Sequence, residues 1–202
     1  MPFPKETLPP VIPEGINGLS LREAAGAAKS WNFKEAGLGM AAVNAWYNTE
    51  ENIRRLGAAE PFENYCTRGI DFKGKKVAAV GNLKSIYRFA PDAEEIFILE
   101  RMNDRGTYPD SACDFILPQC DVVLITGSAL VNKTLPHLLE LCRDAYTILT
   151  GPSVPLCPAL FDFGVDRLAG MALTDPESLF SEISSGQSGN PYKYGKTFML
   201  SK

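Results

Sequence analysis

Two short polar segments carry the residue types best suited to holding a small ligand. Thr126-Gly127-Ser128, with Asn132 in the following turn, offers two hydroxyls, an amide and exposed backbone N–H groups. Gly151-Pro152-Ser153, directly after Thr150, repeats the Thr-Gly signature. Groups of this kind hold anions and polar head groups where a strand gives way to a helix. The same residues also make ordinary turns, but their recurrence behind two apolar runs favours a site. Gly81-Asn82 ends a third apolar run and Glu100 ends a fourth. Glu100 is the best-placed acid or base for proton transfer. Asn44 lies among small apolar residues and reads either as a satisfied core amide or as a ligand contact. Cys157 follows the second Thr-Gly turn and is the best-placed thiol; thiolate suits soft metals, while a buried free thiol is the commoner use of cysteine. Asp104 and Asp110 could join Glu100 as hard oxygen ligands, yet no spacing here is specific to a metal. His137, the only histidine, follows Pro136 in the first turn of a helix and reads as an exposed or packing residue.

A dinucleotide is disfavoured. The first strand ends in Gly-Asn-Leu-Lys-Ser, which lacks the second glycine that admits a pyrophosphate. Glu100 does stand about 20 residues on, where an acid binding a ribose is expected, so one of two signals is present. NAD and FAD are therefore poor candidates as cofactors.

The elements that must position these residues follow from periodicity. Val122 to Ile125 and Tyr146 to Leu149 are apolar runs, and Leu135, Leu138, Leu139 and Cys142 between them have helical spacing. Strand, turn, helix, strand makes a βαβ unit with parallel strands. Its Thr-Gly turns then lie outside the carboxyl ends of the strands, where such sheets bind ligands. The main cavity is expected to touch residues 126 to 132 and 151 to 153. Further strands are predicted at Val77 to Val80, Ile96 to Leu99 and Leu168 to Leu173, with an edge strand in the tail. Pro158 to Gly164 and Pro176 to Ser184 read as helices started by proline. Upstream, Pro2, Pro4, Pro9, Pro10 and Pro13 make an extended arm. Ser20 with Glu23 has capping-box spacing for a helix to Lys29. Asn32 starts a second helix, roughly 33 to 47, whose small residues predict burial, and Thr49 to Leu56 a third. The expected architecture is α/β: a Rossmann-like open parallel sheet over 71 to 202, and a smaller, mainly helical N-terminal domain over 1 to 70.

Composition narrows the partners. The 202-residue chain has a formal net charge of −4, which argues against nucleic acid or an anionic membrane. No apolar run approaches the roughly 20 residues of a membrane span. Its N-terminus lacks the apolar core of a signal peptide. Cys66, Cys113, Cys120, Cys142 and Cys157 form no C-x-x-C pair. An odd number of unspaced cysteines predicts buried thiols and a reducing, cytoplasmic setting.

Two longer stretches resemble a known family. D-V-V-L-I-T-G-S-A-L-V-N-K-T-L and L-T-G-P-S-V-P-L-C-P-A-L-F-D-F-G-V resemble DUF364, whose members are described as "putative heavy-metal chelation" proteins. S-W-N-F-K-E-A-G-L-G-M-A-A-V-N-A-W-Y-N resembles the companion domain DUF4213. The resemblance spans about Gly18 to Leu173. It implies a Rossmann-like C-terminal domain, an N-terminal domain like that of enolase, and a ligand cleft between them. It also implies β-strands before the helices, whereas only the proline-rich arm precedes Ser20. Either the N-terminal domain is trimmed or the arm replaces part of its sheet, and a homodimer in which a partner copy supplies what is missing is expected. Three readings follow: a metal-handling protein that takes a metal or a metal-bearing small molecule in the cleft, an enzyme acting there on a small anionic substrate through Glu100, or a non-catalytic assembly protein.

Overall fold

Short runs of β-branched and small apolar residues, each stopped by glycine or a polar residue, build the centre of the molecule. A computed structural model describes residues 17–58, 66–102 and 105–202. The proline-rich arm as far as residue 16, part of the expected connector, and Asp104 lie outside the described residues. Strands β1 (Lys76–Val80), β2 (Glu95–Glu100), β3 (Tyr108–Pro109), β4 (Val122–Thr126), β5 (Tyr146–Thr150), β6 (Arg167–Leu173) and β7 (Gly195–Ser201) form one seven-stranded sheet in the order β3-β2-β1-β4-β5-β6-β7. All pairs are parallel except β6 with β7. Val80 is level with Ile125, and Ile125 with Leu149, so the carboxyl ends of β1, β4 and β5 lie side by side. Only β3 was absent from the sequence reading; two residues are too few to leave a periodic signal.

Because successive side chains leave a strand on opposite faces, each central strand feeds two cores. Ala78, Val80, Val123, Ile125 and Leu149 pack with Leu117, Leu135 and Leu138 on one face. Val77, Ala79, Val122, Leu124 and Ile148 pack with Phe72 and Ile86 on the other. This double burial explains the unbroken apolar runs. Helices α4 (Ile86–Phe89), α5 (Cys113–Ile116), α6 (Ser128–Val131) and α7 (Leu135–Leu141) make up much of the cover, and Asp175 caps the later helix Pro176–Ser184. The segment Pro158–Phe163 is a 3-10 helix closed by left-handed Gly164.

The N-terminal helices are α1 (Leu21–Ala25), α2 (Phe33–Tyr47) and α3 (Glu50–Arg55); numbered in chain order, Pro176–Ser184 is α8. Ser20 and Glu23 form the expected capping box, and their hydrogen bonds hold the Glu23 carboxyl below its usual range. The first helix is shorter than its alanine content suggests, because at Gly26 the chain tightens into a 3-10 turn, Gly26–Lys29. That turn lies so close to α2 that a Cβ on Gly39 would sit 2.0 Å from the Ala28 nitrogen. Burial of α2 is one-sided. Ala36, Gly39, Met40 and Ala42 are covered, while Leu38, Ala41 and Ala45 stay exposed and Trp46 is 62% exposed. The small residues bring one face close to its neighbours and do nothing for the other. Among the described residues, no helix is long and apolar enough to cross a membrane.

Candidate functional site

The strand order reverses between β1 and β4, and in open α/β sheets ligands bind at that switch, beyond the carboxyl ends. Gly81 and Asn82 follow β1 there, and Thr126, Gly127 and Ser128 close β4. The backbone is crowded. A Cβ on Gly81, which has φ +108°, would meet the Thr126 methyl at 2.8 Å. A Cβ on Gly127 would meet Ser153 Oγ at 2.7 Å and Val154 at 2.9 Å, while Gly151 needs φ +128°. The two Thr-Gly turns therefore demand glycine for different reasons, space at Gly127 and backbone angle at Gly151.

Hydrogen bonds arrange the polar rim. The Thr126 and Ser128 hydroxyls lie 2.9 Å apart, and Asn132 Oδ1 accepts from both the Thr134 hydroxyl (2.7 Å) and its backbone N–H (3.1 Å). Lys133 adopts φ +66° and donates its ammonium to the Ala28 carbonyl, which ties this turn to the 3-10 turn before α2. Asn44 donates to the Met40 and Ser153 carbonyls, at 3.0 Å each. It is thus both a satisfied amide and a cleft-lining residue. One helical turn later, Asn48 donates to the carbonyls of Val154 (2.9 Å) and Met171 (3.0 Å) and accepts from the Leu156 N–H (2.8 Å). Sequence reading passed over Asn48, although Asn44 and Asn48 have the spacing that puts two side chains on one helix face.

Two cavities open along these strand ends and share Ser128. One, of about 570 Å³, lies at the switch and is lined by Gly81, Asn82, Glu100, Thr126, Asn132 and His137 among others. The second, of about 860 Å³, lies between α2, α6, the Gly151 turn and α8, and is lined by Asn44, Val131, Pro152, Ser153 and Met171 among others. It touches both Thr-Gly segments. A third cavity, larger than either, departs from the expectation. At about 890 Å³, it runs along α7 beside Leu139, Arg143 and Phe163, and reaches Ala129 and Leu130 but not residues 151 to 153.

Of the two strand-tip cavities, the one at the switch holds most of the charged groups, and Glu50 lines the other. Glu100 Oε1 accepts from the Arg101 N–H (2.8 Å) and the Met102 N–H (3.4 Å), so its carboxylate already caps its own turn. Arg101 pairs with Asp110 at 3.2 Å. His137 Nε2 lies 2.9 Å from Asp114 Oδ1, and both residues line the cavity. Twenty-three residues separate that pair, so no local spacing announces it. The carboxylates of Glu100, Asp110 and Asp114 face one arginine and one histidine, a balance that disfavours a simple anion.

Cys157 stands elsewhere. Leu156 is fully buried and held by Asn48, which turns the next residue toward the end of α2. There the Cys157 thiol neighbours Tyr47 and pushes the phenol above its usual pKa. Cys157 lines neither strand-end cavity. Cys66, Cys113, Cys120 and Cys142 are buried. Burial is the main cause that pushes the Cys66 thiol up, and the Cys113, Cys120 and Cys142 thiols to about 11, 11 and 12.

The profile of DUF364, described as "Putative heavy-metal chelation", matches residues 70–200, and that of DUF4213, with the same description, matches residues 4–47. The chain belongs to the DUF364 family. An uncharacterised protein of Methanocaldococcus jannaschii is 30% identical over 86% of this chain and 68% of its own length. A DUF364 protein of unknown function from Desulfitobacterium hafniense has a crystal structure that superposes with a TM-score of 0.85 at 39% identity, covering 98% of this chain and 81% of that one. A second, from Pyrococcus horikoshii, gives 0.77 at 27% identity, covering 93% and 77%.

The family description raises the question of whether this chain's residues fit a resident metal ion. Among the described residues, no three His, Cys, Asp or Glu side chains converge in a ligand set. Four thiols are buried, their pKa values raised above that of a free thiol, and the fifth faces a tyrosine. Soft metals favour thiolate. The described residues do not fit a bare, protein-ligated heavy metal.

Proposed function

We propose that this protein handles metal as cargo, taken up inside a small organic complex rather than as a bare ion, in the cleft at the carboxyl ends of β1, β4 and β5. The observation that carries this reading is the pair of open cavities at the strand tips, beside which the described residues bring together no ligand set for a bare ion. A chelator brings its own donor atoms, so the protein need only recognise its shape and polarity. Gly81, Asn82, Thr126, Gly127, Ser128 and Asn132 border the polar part; Asn44, Pro152 and Ser153 border the other. Elemental analysis and mass spectrometry of protein purified without chelator or affinity metal test it. The expected result is metal accompanied by a stoichiometric small molecule, with bare ions bound only weakly in equilibrium dialysis. Tight stoichiometric uptake of a bare soft ion that Cys157→Ser abolishes would refute it and make Cys157 the ligand.

The exposed apolar face around α1 and α2 supports a two-fold dimer as the working form, and the buried free thiols suit the reducing cytoplasm.

A further inference from the structure

The two cavities that meet at Ser128 both have largely apolar walls and differ in charge: Glu50 lines one, while Glu100, Arg101, Asp110, Asp114 and His137 line the other. On the side beneath α2 and α8 the walls are mostly carbon and sulfur: Met40, Val131, Met171, Leu173 and Leu179. Thioethers pack well against aromatic ring edges. The volume of about 860 Å³ falls in the range of small-molecule sites, roughly 300–1,000 Å³. Asn44 directs its amide hydrogens to Met40 and Ser153, so it stiffens this wall and adds no strong polar demand. On the other side of Ser128 lie the carboxylates of Glu100, Asp110 and Asp114. They are too dispersed to ligate one ion together, yet a cavity with surplus negative charge attracts a cation at longer range.

We propose that the cavities on either side of Ser128 form one two-part site for a planar aromatic chelator carrying a metal cation, with the ring body between α2 and α8 and the metal-bearing edge among the carboxylates. This rests on the cargo reading above. The Ser128 hydroxyl, paired with Thr126 at 2.9 Å, stands where body and edge meet and offers a donor or acceptor to the ring's heteroatoms. Shape selects the ring and charge selects the loaded over the empty chelator.

The test uses the full chain and four probes: zinc ion, the zinc–glycinate complex, 8-hydroxyquinoline, and the one-to-one zinc–8-hydroxyquinoline complex followed by its fluorescence. The expected order is tightest binding for the aromatic complex, then empty 8-hydroxyquinoline, with the other two weak. Ala41 and Ala45 line the apolar cavity from the exposed side of α2. Ala41→Trp and, as an independent blocker, Ala45→Trp should each weaken the aromatic complex about tenfold or more, with circular dichroism unchanged. Asp114→Asn should weaken the loaded complex about two- to fivefold while leaving 8-hydroxyquinoline unaffected. Equal binding of zinc–glycinate and the aromatic complex would overturn the two-part site but leave the cargo reading standing. Zinc ion binding as tightly as either complex would sink the cargo reading itself. No binding by any probe, or full binding by both tryptophan variants, overturns the proposal.

Discussion

At the scale of single residues, burial separates the thiols. Cys66, Cys113, Cys120 and Cys142 are held in the core, while Cys157 is only half-buried. A thiol reacts as thiolate and only where a reagent reaches it. Iodoacetamide at pH 8 should therefore modify Cys157 first in the native protein, and the other four only on unfolding, as peptide mass spectrometry will show. The same burial sets an alkaline limit. The folded pKa values of Cys113, Cys120 and Cys142, near 11, 11 and 12, stand above the ordinary value of 9.0. The unfolded chain then loses those protons first. Their contribution is complete below pH 9 and is lost as pH rises through 9 toward about 11–12. Thermal melts should fall across that window, and a flat profile would mean that the thiols are solvated in the folded state.

At the scale of elements, two amides tie α2 to the sheet and its connections. Asn48 binds three backbone groups on the β5–β6 connection and β6, and Asn44 binds a fourth. Removing the Asn48 side chain strands the partly buried carbonyls of Val154 and Met171 and the N–H of Leu156. Asn48→Ala should cost about 2–3 kcal/mol. That corresponds to a drop of roughly 4–12 °C in melting temperature for a chain of this size. Asn48→Asp keeps the acceptor for Leu156 but loses both donors, and should be nearly as damaging. Because the amides also shape the second cavity, ligand affinity should fall with stability in both variants. A variant that melts like the parent would show that apolar contact alone holds the helix.

At the scale of the whole molecule, the two faces of the sheet are covered but the outer face of the N-terminal helices is not. Trp31 is 68% exposed and Trp46 62%, with Leu21, Phe33 and Leu38 also exposed. Several large apolar side chains exposed on neighbouring N-terminal elements favour an association face. We expect a two-fold dimer through this region at micromolar concentration. Deleting residues 1 to 14 should loosen the dimer before it unfolds the Rossmann-like sheet. Sedimentation velocity of both chains decides: a full-length monomer at those concentrations ends the idea, as does a deletion that melts the sheet while the dimer persists.

Local pattern was enough for the central strands but not for two-residue β3, because double burial in a parallel sheet forces unbroken apolar runs such as Val122 to Ile125 and Ile148 to Leu149. It was enough, too, for caps whose chemistry is contained within a few residues, as at Ser20, Asn32, Thr49 and Asp175. The glycines after Thr126 and Thr150 were legible as turn residues, but only the fold showed that Ser153 crowds the first and that backbone angle constrains the second. The pairing of His137 with Asp114, the reach of Asn48 across more than 100 residues, and the turning of Cys157 away from the cleft are nonlocal. Such contacts depend on how separate elements pack, and the order of residues along the chain holds no periodic trace of them. The division of the strand-tip cleft into a more charged cavity and a less charged one was decided in the same way, by where α2 and α8 come to rest on the sheet.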